Sequence, residues 1–264
     1  MDSDCPPLVD HLLAPSGGLI YHLRALRHRH GLWAPFHRVV AGWLAGWLAG
    51  WLAGWQPARR ELVIVGPNAG YALPDGFLAR FERVTALEPD PLARWLLARR
   101  PDAAQLAFAR LDCLTTPDGL AHLAARFPDA AILFSNVLGQ LNAPADDWQT
   151  LLARHLAGHA WASYHDVIST RSAPTRDTPC AVSTAENLAA TLARFWPGGE
   201  LEVTDHASFR LAGDAPCRYA IWPIARRRWH LVEWAAHAPL KEKPGRPEFP
   251  CPQGGALPRG AHEP

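Results

Sequence analysis

Four short apolar runs, each closed by a glycine, an acid or an amide, decide what this chain can fold into. "ELVIVG" (61–66) ends in Gly66, "RVTALEPD" (83–90) in acids, "LAFARLD" (106–112) in Asp112 and "AAILFSN" (130–136) in Asn136. A strand covered on both faces reads as such a continuous run rather than as an alternation. Helical stretches separate or follow them: "PLARWLLARR" (91–100), "TPDGLAHLAARF" (116–127) and "ADDWQTLLARHLAG" (145–158), the last with acids in its first turn. A fifth strand, "HAWASYHDVIS" (159–169), precedes a polar loop (170–182) and a further helix, "STAENLAATLARF" (183–195). Strands at 200–205, 218–224 and 228–234 follow, the last two joined by Ala225-Arg226-Arg227 as a hairpin. The alternation predicts an α/β fold: a doubly wound, mostly parallel sheet with a C-terminal antiparallel hairpin. Such sheets bind ligands outside the carboxyl ends of their strands, where the strand order reverses.

Residues 1–57 read as an N-terminal helical cap, 58–237 as the sheet domain and 238–264 as a Pro/Gly-rich disordered tail. The cap holds "VVAGWLAGWLAGWLAGWQP", identical Gly-Trp-Leu-Ala tetrads with no charge from Val39 to Trp55. As a helix these 17 residues reach about 26 Å, short of the about 30 Å of a bilayer core, so membrane association is not expected. A period of four turns about 40° per repeat. The tetrads therefore read as tandem duplication within one long helix, part of whose Trp/Leu surface is exposed and open to self-association. The net charge of +1 argues against a nucleic-acid partner. Five cysteines without CxxC spacing, and an N-terminus without the basic and apolar regions of a signal peptide, point to the cytoplasm and to no cysteine-built metal site.

The strand ends carry the chemistry. Gly66 and Gly70 in "GPNAGY" allow a tight turn and close backbone approach to a ligand. Glu88, 22 residues after Gly66, stands where a carboxylate can accept hydrogen bonds from ribose hydroxyls. "LVIVGPNAGYAL", "VTALEPDPLARWLL", "ARLDCL" and "AAILFSNVLGQL" together resemble the motifs of the class I S-adenosylmethionine-dependent methyltransferases, over about residues 60–236. The resemblance implies a Rossmann-like fold with S-adenosylmethionine as cofactor, held by Gly66, Asn68, Gly70, Glu88, Asp112 and Asn136, and an N-terminal cap enclosing the substrate. Two positions depart from the family pattern: the middle glycine of the loop is Asn68, and the acid two residues before its first glycine is Ile64.

Methyl transfer is an in-line displacement, so the protein has to align the reactants and take up a proton. Asn136 at the end of the fourth strand, and His165 and Asp166 in the fifth, are the catalytic candidates. His165 and Asp166 are adjacent on a strand and therefore face opposite sides of the sheet. Gln140, and a metal site drafted from Asp205, His206, His230 and Glu233, are weaker candidates. The expected activity is methyl transfer to a small-molecule or protein acceptor. Ser135-Asn136-Val137-Leu138 stands where amino-methylating members carry Asn/Asp-Pro-Pro-Tyr, which tilts the reading toward other acceptors. The other reading is a non-catalytic binding or scaffold domain that keeps the sheet and has lost the cofactor.

Overall fold

The computed structural model describes residues 18–52, 60–141, 147–182, 186–198 and 201–239. The expected disordered tail beyond residue 239, the first 17 residues and the end of the tetrad repeat lie outside the described residues. Two helices come first, α1 (Gly18–His28) and α2 (Ala34–Leu52). The sheet then alternates with helices: β1 (Glu61–Val65), β2 (Arg83–Leu87), α3 (Pro91–Leu97), β3 (Leu106–Phe108), α4 (Gly119–Arg126), β4 (Ala131–Ser135), α5 (Trp148–His155) and β5 (Trp161–Thr170). The chain closes with β6 (Cys180–Val182), α6 (Leu188–Phe195), β7 (Val203–Asp205), β8 (Cys217–Ala225) and β9 (Arg228–His237). The expected polar loop 170–182 thus ends in a short edge strand, β6, which pairs antiparallel with β8.

The strand order is β3-β2-β1-β4-β5-β9-β8-β6, with β7 pairing the end of β5. β1 to β5 run parallel, and β9 enters antiparallel between β5 and β8. This is the expected doubly wound, Rossmann-like sheet with a reversed C-terminal hairpin, and its order reverses between β1 and β4. Side-chain alternation divides each central strand between two cores. Leu62 and Ile64 of β1 pack with α1, α2 and Leu97 of α3, while Val63 and Val65 pack with α4 and α5. β5 is buried along its whole length.

The tetrad repeat does more in the core than its sequence suggests. Trp33, Phe36, Val40, Trp43, Leu44 and Leu48 are buried against the sheet. Phe36 stacks on Trp222 at 4.7 Å, Trp43 stacks on Trp234 at 6.0 Å, and Trp47 meets Trp234 edge-on at 6.1 Å. A drift of about 40° per tetrad over two repeats is too small to carry these residues off one apolar face. Ala45 and Gly46 face solvent. Among the described residues, no helix is long and apolar enough to cross a membrane. Trp95 is 52% exposed and lies under the Arg99 guanidinium at 3.5 Å.

Two features shape the carboxyl edge of the sheet. The connection from β1 to β2 contains a single 3-10 turn (Leu78–Arg80) in place of the α-helix that usually follows such a strand. Its carbonyls are satisfied from outside: Arg100 donates to Gly70 O, Leu73 O and Pro74 O, and is itself held by Asp102 at 2.9 Å. α1 is the second feature, and it lies inverted. Its buried residues are Gly18, His22 and Ala25, while Leu19, Ile20, Leu23 and Leu26 are 45–59% exposed.

Burial of the repeat gives a stability prediction. Leu44, fully buried beneath the sheet, should lose about 2–5 kcal/mol on Leu44→Ala, read by denaturant unfolding. A loss below about 1 kcal/mol would mean that α2 is not part of the core.

Candidate functional site

β1 and β2 end side by side, with Gly66 N bonded to Leu87 O at 2.9 Å. The loop beyond β1 is built from left-handed residues: Gly66 at φ +63°, Asn68 at φ 54° and Gly70 at φ +71°. Asparagine tolerates this region better than most residues, which explains how Asn68 replaces a glycine here. Glu88 closes the loop from below. Its Oε2 accepts the Asn68 N–H at 2.6 Å and its Oε1 accepts the Asp90 N–H at 2.9 Å. Glu88 is 7% exposed, and burial pushes its carboxyl up to about 7, outweighing those two backbone bonds. Each of its oxygens still has a lone pair for a ligand donor.

Asp90 fixes what lies over this loop. Its Oδ1 caps α3 through Leu92 N and Ala93 N, and its Oδ2 accepts the Gly18 N–H of α1 at 2.8 Å. His22 of α1 lies 3.3 Å from the same Oδ2 through Nε2, and its Nδ1 is 2.8 Å from the Tyr71 hydroxyl. With a carboxylate on one side, the pattern is that of a neutral imidazole donating from Nε2 and accepting the Tyr71 hydroxyl proton at Nδ1. Burial lowers the His22 pKa in the same sense. α1 is thus pinned over the β1–β2 crevice by polar contacts.

The other expected residues separate into two groups. Asp112, after β3, accepts bonds from Leu114 N, Thr115 N and the Thr115 hydroxyl, so both of its oxygens serve a local turn. Gln140 is exposed. His165, a catalytic candidate, is enclosed by its surroundings. It is fully buried on the face away from α1, donates from Nε2 to Ser208 O at 2.8 Å and meets the Ser163 hydroxyl at 2.9 Å through Nδ1. Beside it Glu233, also fully buried, accepts from Tyr219 Oη, Arg210 N and Leu211 N. Every partner in that group is a structural one.

Asn136 and Asp166 do come together, on the face under α1 and α2. Asn136 is left-handed at φ 56°; its Oδ1 accepts the Asp166 N–H at 3.1 Å and its Nδ2 reaches Asp166 Oδ2 at 3.4 Å. The turn that presents Asn136 lies against β5 so closely that a Cβ on Gly139 would stand 2.0 Å from Asp166 O. Asp166 Oδ2 is also 2.9 Å from His230 Nδ1, and the His230 and His206 rings are 6.0 Å apart. Burial works to raise the Asp166 carboxyl, but His230, His206 and Asn136 outweigh it and hold it below the usual range. His230 and His206 entered the sequence reading only as weak metal ligands. Among the described residues no group of three or more His, Cys, Asp or Glu is placed to hold a metal ion. The role of His230 depends on a register that the sequence does not state: it pairs across the sheet with Ser169 and Trp222.

No protein-family model matches the chain, and no curated protein matches it. Among solved structures it is similar to the DhpI–SAH complex, at 13% identity over 86% of this chain and 95% of that one, with a TM-score of 0.39. It is also similar to magnesium protoporphyrin IX methyltransferase (ChlM) from Synechocystis PCC 6803 with bound SAH, at 13% identity over 81% and 93% of the two chains, with a TM-score of 0.38. A SAM-dependent methyltransferase from Anabaena variabilis matches at 14% identity over 71% and 82%, with a TM-score of 0.33. The fold assignment rests on strand order and register, not on these scores.

The raised Glu88 carboxyl has a stability consequence with a definite sign. An unfolded glutamate releases its proton near 4.5, whereas the folded one holds it to about 7. Its contribution is therefore complete below about 4.5 and is lost as pH rises through about 7, by up to about 3 kcal/mol. Unfolding curves of the wild type and Glu88→Gln across this range should diverge in that sense, the wild type losing more. Parallel curves would show that Glu88 titrates normally.

Proposed function

We propose that the chain binds S-adenosylmethionine across the carboxyl ends of β1 and β2 and transfers its methyl group to a small-molecule or protein acceptor. The observation that carries this reading is Glu88: a buried carboxylate at the end of β2, 2.6 Å from the backbone of a left-handed glycine loop at the end of β1. The strand order, with its reversed terminal strand, supports the same reading. Glu88 fits the ribose of the cofactor, because both oxygens keep acceptor capacity and the site around them is nearly dry. Gly66 and Gly70 supply the left-handed turns of that loop, with Val137 and Leu97 packed against them. The cofactor supplies a methyl group on sulfonium sulfur; the chain's own residues bind, orient and exclude water. Cys113, Cys180 and Cys217 are free thiols, which agrees with action in the cytoplasm.

A second reading, the non-catalytic domain, is favoured by two specific contacts. Ile64 stands fully buried where the family pattern has an acid. Val137 closes over the glycine loop, so that a Cβ on Gly66 would be 2.1 Å from Val137 Cγ1.

Calorimetry and thermal shift with S-adenosylhomocysteine separate the two readings. Ligand at about 100 times its dissociation constant should add about 2.7 kcal/mol of stability. Ribose hydroxyls donate best to an ionised carboxylate, so affinity should rise as pH climbs through about 7, by up to about tenfold per unit below it. Glu88→Gln should weaken binding and flatten that dependence. Absence of any shift at millimolar ligand leaves the non-catalytic reading.

A further inference from the structure

Buried polar side-chain atoms nearly always have a hydrogen-bond partner, and each one left without costs about 1–3 kcal/mol. Among the described residues, those without a partner include Asp166 Oδ1, His206 Nε2, His230 Nε2 and Trp222 Nε1. These atoms belong to one cluster. Trp222 of β8 and His230 of β9 are cross-strand partners with rings 6.3 Å apart, His206 is 6.0 Å from His230, and Asp166 Oδ2 is 2.9 Å from His230 Nδ1. The Asp166 side chain is 3% exposed and that of His230 12%. Such concentrated deficits at the carboxyl edge of a doubly wound sheet mark a place completed by a bound molecule.

The charge around the cluster says what kind of molecule. Arg228 is two residues before His230 on β9 and shares its face, and it acts on His206. Arg226, Arg227 and Arg228 are exposed at the β8–β9 turn. Asp205, the other acid acting on His206, has its Oδ1 engaged by Ala207 N–H. Trp222 Nε1 can only donate, so it requires an acceptor oxygen on the ligand.

We propose that this cluster is the methyl-acceptor site, that it takes a small molecule bearing a hydroxyl and an anionic group, and that His230 is a catalytic residue which receives the hydroxyl proton. The inference rests on the methyl-transfer reading above. Asp166 is a positioning residue: it faces His230 Nδ1 and so leaves Nε2 as the proton acceptor. In the step, a lone pair of the acceptor oxygen forms the new O–CH3 bond. The C–S bonding pair stays on sulfur, which becomes a neutral thioether. The hydroxyl proton moves to His230 Nε2, and the resulting imidazolium stands beside the Asp166 carboxylate. Arg228 pairs with the anionic group.

The test uses the full chain with 13C-labelled histidine, saturated with S-adenosylhomocysteine, and three probes: 4-hydroxybenzoate, benzoate and phenol. 4-Hydroxybenzoate should shift the His230 and His206 ring signals at millimolar concentration and bind better than either of the other two. Arg228→Gln should weaken 4-hydroxybenzoate and benzoate by about fivefold or more and leave phenol within about twofold. His230→Gln and Asp166→Asn should each erase the preference for 4-hydroxybenzoate over benzoate, a loss confined to the hydroxyl that general loss of packing does not give. If S-adenosylhomocysteine binds and none of the probes moves His230 or His206, the acceptor site is overturned. If S-adenosylhomocysteine itself fails to bind, the methyl-transfer reading falls, and the same probe titrations without it decide whether the cluster binds hydroxylated anions.

Discussion

The carboxylate of Asp90 holds the candidate site together. It caps α3, takes the first N–H of α1 and faces His22, while its own N–H bonds to Glu88. Glu88, the helix over it and the helix beside it therefore share one buried anion. That anion is kept ionised because its bonds from backbone N–H groups, added to His22, outweigh the effect of burial and lower its pKa. Because α1 turns its leucines outward, its apolar hold on the body of the protein comes from Ala25 and Tyr21.

The frame of the fold was legible because buried parallel strands leave uninterrupted apolar runs, and because their ends carry Gly66, Glu88, Asp112 and Asn136. The departures have physical reasons. The β1–β2 connection does without a helix because Arg100, some 30 residues away, supplies the donors that a helical ladder would have supplied. Nothing local in residues 66–82 announces that. α1 carries a helical apolar period, but the period indicates a face without saying that this face points to water. The tetrad repeat reads as a duplication, yet two of its units lie within the apolar arc of α2 and complete the core against Trp234.

β5 shows most clearly what the residues alone leave open. Alternation assigns His165 and Asp166 to opposite faces, and the register bears that out, but it does not say which face carries chemistry. Satisfaction of hydrogen bonds does. On one side His165, Glu233, Tyr219 and Ser208 bond to one another and to the backbone. On the other, Asp166, His230, His206 and Trp222 retain unmet polar atoms. The first arrangement holds strands and the loop after β7 in register; the second has capacity to spare. His230 acquires its place through pairing with a strand 60 residues earlier, which single-chain periodicity cannot anticipate.

The inverted packing of α1 has a dynamic consequence. A helix that hides its leucines can leave the body of a protein only by giving up apolar burial, whereas α1 hides chiefly Gly18, His22 and Ala25. What it would surrender on lifting is its polar contacts to Asp90 and Tyr71, together with Ala25 and the Tyr21 ring, which packs on the core. Local opening draws on the least stable segments of a fold. By this measure α1 is seated by oriented contacts at Asp90 and Tyr71, so its position depends on geometry rather than on the area it covers.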